Sequence, residues 1–251
     1  MSLTSVILPT YNEAENIVPL LESLQSALKK DYELIVVDDD SPDGTSQTVK
    51  KYIKEHKKSF VRLETRLSDH GLTKSIQHGI NTARGDIIVW MDCDFSMPPE
   101  FVPTLIDHIH KGYDIAFGSR FIPGGKQKKI NNNESQAAVF FSTVLNKTMR
   151  IVFRVNVYDF TSGFIAIRKD IVRHIPLQGD YGEYFIDLIV RAHRKKYTII
   201  ELPFTSAPRQ AGESKSAPNL AILLKRGVQY GGTVIRLLLK HTTYDSPSRN
   251  R

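Results

Sequence analysis

Apolar positions in the first half of the chain switch repeatedly between a strand period and a helix period. "SVILPT" is a short β-rich run, and "YNEAENIVPLLESLQSALKK" then sets Ile17, Leu20, Leu21, Leu24 and Leu28 on one helix face. Asn12 is placed to cap that helix, with Glu15 three residues on, in a relative of the capping box. "YELIVVD" reads as a buried strand, and Val49, Tyr52 and Ile53 mark the inner face of a second helix. The pattern repeats through "FVRLET", a helix carrying Leu72, Ile76, Ile80 and Ala83, the strand "DIIVWMD", a helix with Phe101, Leu105, Ile106 and Ile109, and the strand "DIAFGSR". Strands alternating with helices predict crossover units and an α/β fold with a mostly parallel sheet flanked by helices.

Past Arg120 the rhythm fails. "FIPGGKQKKINNNES" is rich in Gly, Lys and Asn without an apolar period and reads as a mobile connection. A helix near 136–153, the strand-like "GFIAIR", a helix through "YFIDLIVRAHRK" and the strand "YTIIELPF" follow. "TSAPRQAGESKSAPN" reads as a second flexible loop before an amphipathic tail, which divides the chain into a main domain over 1–217 and a C-terminal helical tail over 218–251. In "LAILLKRGVQYGGTVIRLLLK" the cations Lys225, Arg226 and Arg236 argue against a membrane span, since a central charge costs roughly 2.5–3.5 kcal/mol on insertion scales. Lying in the membrane interface remains open to it.

Composition narrows the partners. Among 251 residues, 34 Lys plus Arg against 27 Asp plus Glu give +7, which favours anionic ligands such as phosphates, nucleic acid or an acidic membrane surface. A single cysteine, Cys93, excludes an internal disulfide framework and fits a reducing compartment. The opening "MSLTSVILPTYNE" has no basic segment ahead of its short apolar run and does not read as a signal peptide.

In an open α/β sheet, ligands bind outside the carboxyl ends of the strands. Three strand ends carry chemistry: "LPTYNE", "VVDDDSPDGT" and "WMDCDFS". Continued strand alternation would turn Asp92 and Asp94 toward one pocket and Cys93 into packing. Two such carboxylates repel unless a cation lies near, and Mg²⁺ or Mn²⁺ held by them and by a substrate's phosphates satisfies that; otherwise the pair only ends a strand and caps the next helix. "DDDSPDGT" could be a turn alone, or could offer a carboxylate to ribose or base donors. "PTYNE" could be only a helix start, or Tyr11 could stack on a base. Neither is a Gly-rich phosphate cradle. In "PRQAGESK", Arg209 and Lys215 could close over an anion, or be a solvated charged loop. The eight histidines show no metal-ligand spacing.

Taken in order, "VILPTYNEAENI", "YELIVVDDDSPDGT", "ARGDIIVWMDCDFSMPPE", "IAFGSRF" with a following "GG", "DFTSGFIAIRK", and "ELPF" with "PRQAGESK" resemble the family 2 glycosyltransferases. Among these the likeness is strongest to the dolichol-phosphate mannosyltransferases and related polyprenyl-phosphate sugar transferases, and it runs to about residue 217. The resemblance implies a GT-A-like, nucleotide-sugar-binding fold and metal-dependent, inverting transfer. It implies that Pro9, Tyr11, Glu13 and Asp39, with Asp38, hold the nucleoside beside Asp92 and Cys93. Asp92 and Asp94 would bind Mn²⁺ or Mg²⁺ against the diphosphate, Arg120 would meet a phosphate, and Arg209 and Lys215 would clamp the anionic end. Asp187 would stand where relatives carry an acidic residue on a helix, a catalytic candidate, and Asp159 with Ser162 and Gly163 would shape the acceptor side.

Departures from the pattern fall on the metal and the acceptor. Met97 stands where relatives often have His, and the helix after the Gly-Gly loop reads "SQAAVFF", without the arginine many relatives carry. The expected activity is transfer of a hexose, mannose from GDP-mannose being favoured, to dolichyl or polyprenyl phosphate. The expected location is peripheral, at the cytosolic face of a membrane, without nucleic acid and with room for a small membrane subunit. The alternatives are a UDP-sugar donor (glucose or GlcNAc), a saccharide acceptor, a nucleotidyltransferase, or a non-catalytic nucleotide-binding protein.

Overall fold

The computed structural model describes residues 2–57, 60–127, 133–207 and 220–239. The first half alternates as the periodicity predicts: β1 (Thr4–Thr10), α1 (Ile17–Leu28), β2 (Tyr32–Asp38), α2 (Thr45–Glu55), β3 (Val61–Thr65), α3 (Leu72–Thr82), β4 (Ile87–Trp90), a 3-10 turn at Pro99–Phe101, α4 (Val102–His110) and β5 (Ile115–Ser119). The second half holds β6 (Lys126–Gln127), α5 (Asn133–Phe153), β7 (Ile165–Arg168), α6 (Lys169–His174), α7 (Glu183–Arg194), β8 (Ile199–Pro203), β9 (Thr205–Ser206) and α8 (Leu220–Leu239).

Seven strands form one sheet in the order β3-β2-β1-β4-β7-β5-β8. All neighbours are parallel except β7, which runs antiparallel to both β4 and β5. Alternation along each strand divides the core into two layers. Ile7, Ile35, Val37, Ile88, Trp90 and Phe117 face α3 and α7, whereas Val6, Leu8, Leu34, Val36 and Val89 face α1 and α4. Helices cover both faces, which is why these strands read as unbroken apolar runs. A side chain on Gly79 of α3 would come within 2.4 Å of Ile7 Cγ2, so the close approach of α3 to β1 requires glycine.

Three local expectations are corrected and one element is added. Asn12 does not cap α1: it lies in the left-handed region (φ 55°), and the helix starts at Ile17 with Asn16 before it. The Gly- and Lys-rich connection is not wholly irregular, because Lys126 and Gln127 pair in parallel with Thr205 and Ser206. The segment after β7 turns directly into α6, a helix too short to leave a period in the sequence. β4 stops at Trp90, so Asp92 and Asp94 belong to the bend beyond it, where strand alternation no longer dictates their direction.

The register puts the carboxyl ends of β1, β2, β4, β5 and β8 along one edge: Thr10 lies beside Asp38, Ile7 beside Trp90, and Ser119 beside Pro203. Because β7 is reversed, its amino end reaches the same edge, with Trp90 beside Ile165. Residues 158–164 are thereby carried to the ends of the other strands.

Candidate active site

The loop after β1 is held by the loop after β2. The backbone N–H of Asn12 donates to Ser41 Oγ, that of Glu13 to Thr45 Oγ1 and that of Ala14 to Asp43 Oδ2, each at 3.0 Å. Burial works against the Asp43 charge, but the Thr45 hydroxyl, with the backbone N–H groups of Ala14 and Thr45, brings its carboxyl below its ordinary value. Pro9 is half-buried at the end of β1, Tyr11 is 46% exposed, and Glu13 accepts from Asn16 Nδ2 at 2.8 Å.

Asp38 is fully buried and accepts from Thr10 Oγ1, Ser41 N and Ser46 Oγ at 3.1, 3.2 and 2.7 Å, so its carboxylate organises the loop itself. Asp39 accepts from Arg66 Nη1 and Ser75 Oγ, both at 2.6 Å, and from Gly71 N at 2.7 Å. Sequence reasoning missed Arg66 and Ser75. Their signal was slight: an arginine one residue past β3, and a serine in the first turn of α3.

Beyond β4, Asp94 is 2% exposed and accepts from Ser96 N at 2.9 Å, with Phe95 between them in the left-handed region. Cys93 is buried with Sγ 3.5 Å from the Pro9 carbonyl, in keeping with a packing role. Asp92 is half-buried, and its N–H donates to Met97 Sδ at 3.3 Å. Met97 is thus committed to the core and to the Asp92 backbone. Among the described residues no three or more His, Cys, Asp or Glu gather as a metal site. Asp92 and Asp94, two residues apart in the segment after β4, have the hard oxygen donors that suit a cation taking its remaining oxygens from a diphosphate and water. The N–H of Ala207 donates to Ser96 O at 3.1 Å, so the chain passes the acid pair just before residue 208.

Opposite lies Arg120, one residue past β5. Its Nε and Nη2 donate to Asp159 Oδ2 and Oδ1 at 2.9 Å, a bidentate fork, and Nη2 also donates to the carbonyl and hydroxyl of Thr161. Asp159 is fully buried. Glu201 of β8 fixes the backbone beneath it, accepting from the N–H of Tyr158 at 2.8 Å and of Asp159 at 2.9 Å. Burial disfavours the Arg120 charge, but Asp159, with Asp92 further off, outweighs it and raises the guanidinium pKa. Ser162 donates to the Gly118 carbonyl. Gly163 takes φ 69°, with Tyr184 Oη and Met97 Cε 3.4 and 3.8 Å from where a side chain would begin. Tyr184 Oη accepts from Trp90 Nε1 at 2.9 Å, and burial, then the Asp92 charge, push its phenol well above the ordinary value.

Asp187 is held elsewhere in this set. It is 1% exposed on α7, accepting from Arg191 Nε at 2.6 Å and from Arg236 Nη2 of α8 at 3.2 Å. Arg209 and Lys215 lie outside the described residues. The structure therefore gathers Asp92, Asp94, Arg120 and Asp159 around the ends of β4, β5 and β7, with the Tyr11–Glu13 and Asp38–Asp39 loops beside them.

Residues 5–175 match the model of the family described as "Glycosyl transferase family 2". The chain belongs to that family. Relatives include a dolichol-phosphate mannosyltransferase of Pyrococcus furiosus, 35% identical over 84% of this chain. The chain spans 58% of that protein's length. A polyprenol monophosphomannose synthase of Mycolicibacterium smegmatis is 32% identical over 91% of this chain and 86% of its own. Among solved structures, glucosyl-3-phosphoglycerate synthase of Mycobacterium tuberculosis, in complex with Mn²⁺, UDP and glucosyl-3-phosphoglycerate, superposes with a TM-score of 0.69 at 18% identity, covering 98% of this chain and 82% of that one. At that identity the likeness concerns the fold, and it bears out the GT-A-like architecture of a family 2 member. No helix among the described residues is long and apolar enough to cross a membrane.

Proposed function

We propose that this family 2 member transfers a hexosyl group, mannose from GDP-mannose, onto the phosphate of a polyprenyl or dolichyl lipid, with inversion. The observation that carries the proposal is that Asp92 and Asp94 past β4 and Arg120 past β5, locked by Asp159, lie at one edge of the sheet, in a chain 32% identical to a polyprenol monophosphomannose synthase over most of both lengths.

In this reading Asp92 and Asp94 hold Mn²⁺ or Mg²⁺ against the donor diphosphate; the bound cation supplies charge stabilisation to the leaving group. Tyr11, Glu13 and Asp39 border the nucleoside, and admitting a base requires Asp39 to share its carboxylate with Arg66 and Ser75 or exchange them for it. Arg120 is fixed by Asp159 through Nε and Nη2, leaving Nη1 outside that fork to meet a phosphate oxygen. A phosphate monoester with a second pKa of roughly 6 is largely dianionic at neutral pH, so its oxygen attacks the sugar C1 as the bond to the diphosphate breaks, and no protein base is needed. Arg209 and Lys215 remain proposed as a clamp on the anionic end.

Peripheral membrane contact is part of the same proposal. α5 exposes Phe140, Phe141, Val144 and Ile151, and α8 exposes Val228, Ile235, Leu238 and Leu239. Apolar helix faces of this kind suit the headgroup boundary of a bilayer. The deciding experiment compares thermal shifts with GDP, UDP and their sugars, with and without Mn²⁺, and then measures nucleotide release on adding a polyprenyl phosphate. A metal-dependent preference for GDP-mannose with lipid-dependent GDP release is expected. A preference for a UDP-sugar, or release unaffected by the lipid, refutes the donor or the acceptor respectively.

A further inference from the structure

Helix α8 is docked against α7 by buried charge. Asp187 holds both Arg191 and Arg236, and Arg194 Nη1 donates to the Leu237 carbonyl at 2.9 Å, so α8 is tied to α7 at its last turns. A carboxylate 1% exposed is costly unless paired, and Arg236, which interrupts the apolar run of the sequence, supplies part of that pairing. Leu237 is buried beneath the contact.

Six residues before Arg236, Tyr230 crosses the start of α7. A Cβ on Gly182 would fall 2.4 Å from Tyr230 Oη and 3.6 Å from its Cζ. Gly182 has ordinary helical torsions, φ −55° and ψ −18°, so its backbone does not need glycine. The phenol does. Two residues on from Gly182 stands Tyr184, whose hydroxyl receives the Trp90 indole at the end of β4. Tyr230 also lies near enough to Arg120 and Tyr184 to interact electrostatically with both.

We infer that α8 is a wall of the active site: Tyr230, seated on Gly182 and anchored through Arg236 and Asp187, borders the acceptor phosphate beside Arg120, and the site is complete only while α8 is docked. This rests on the lipid-phosphate acceptor proposed above. Tyr230 is a positioning residue here, and Asp187 is the helix anchor.

The test uses the full chain in detergent with a short-chain polyprenyl phosphate, so that bilayer adsorption plays no part. Tyr230→Phe removes the hydroxyl, and Gly182→Ala displaces it. Each is expected to raise the acceptor KM roughly 3- to 10-fold with donor KM unchanged, and the double variant to match either single one, because both remove the same contact. Arg236→Ala should roughly double acrylamide quenching of Trp90, the chain's only tryptophan, as α8 loosens, and Arg236→Lys should restore most of the protection. Effects of Tyr230→Phe and Gly182→Ala that multiply, or an acceptor KM within twofold of wild type in both, overturn the wall. Unchanged quenching in Arg236→Ala overturns the anchor. Should the wild type transfer to no lipid phosphate, the acceptor proposal fails by itself, while Trp90 quenching still decides whether α8 seals the site.

Discussion

The two halves of the sheet solve one electrostatic problem in opposite ways. On the β3-β2-β1 side, carboxylates at strand ends are neutralised by many small donors: Asp38 by hydroxyls and an amide, and Asp39 by a hydroxyl, an amide and one guanidinium. On the β7-β5-β8 side, guanidiniums are matched by whole buried carboxylates, Arg120 by Asp159 and Arg191 by Asp187. In the proposed function the first device would shape a loop around a neutral nucleoside, and the second would fix a full positive charge at a point for a phosphate. Between them, just past β4, Asp92 and Asp94 set two carboxylates in one bend, where the proposed function places a cation shared with substrate.

The sharpest way to break this contrast is at its centre. Asp94→Asn keeps the size and the contact to Ser96 N but removes a charge, and should lower kcat roughly 100- to 1,000-fold while the melting temperature stays near wild type. Turnover near wild type would dismiss the cation. Next, Arg120→Lys keeps the charge but loses the fork. Transfer should fall roughly 10- to 100-fold in kcat/KM, because a flexible ammonium beside Asp159 does not fix a phosphate. An unaltered rate would mean that the fork serves folding alone.

The β3-β2-β1 half was the more legible in the sequence, and the reason is physical. Ile17, Leu20, Leu21 and Leu24 are buried as their spacing requires, and the parallel strands around them are joined by short crossovers, so local period decides topology. "GFIAIR" also reads as a strand, but its reversed direction depends on pairing with β4 and β5, which no local pattern encodes. The site divides similarly. Asp92 and Asp94 stand out as adjacent charges at a strand end, whereas Arg120 finds Asp159 39 residues away, and Asp187 finds Arg236 49 residues away. Asp39 was legible as a strand-tip acid, but its partner Arg66 was not.

A smaller effect tests whether neutralisation by several donors also stabilises the far end of the same half. Glu33 of β2 accepts from Ser5 Oγ at 2.7 Å, Arg84 N at 2.6 Å and Arg62 Nη1 at 3.0 Å. Burial opposes its charge, yet these donors bring the carboxyl below its ordinary value. A depressed acid stabilises the fold above its unfolded pKa, about 4.3, and that contribution is lost as pH falls through the folded value. Glu33→Gln should therefore cost about 1–3 kcal/mol at pH 7 in urea unfolding. The gap from wild type should close below about pH 4, with nucleotide KM unchanged. A gap independent of pH would assign the loss to packing.

The smallest expected effect concerns the outer face of α8, the surface proposed to meet a membrane. Val228 and Ile235 are 76% and 59% exposed, seven residues and so about two turns apart on one side of the helix, while Arg236 turns inward to Asp187. The helix thus presents apolar groups outward and uses a charge inward, the reverse of an ordinary surface helix. Replacing both outward residues, Val228→Ser with Ile235→Ser, leaves the docked face intact. Liposome association should weaken roughly three- to tenfold, since adsorption scales with the apolar area inserted. Turnover on a short-chain acceptor in detergent should stay within about twofold, because exposed positions away from the site contribute little to stability. If liposome association is unaffected, the exposed stripe of α5 around Phe140 and Ile151 is the part of the surface left to meet the bilayer, and α8 serves the site alone.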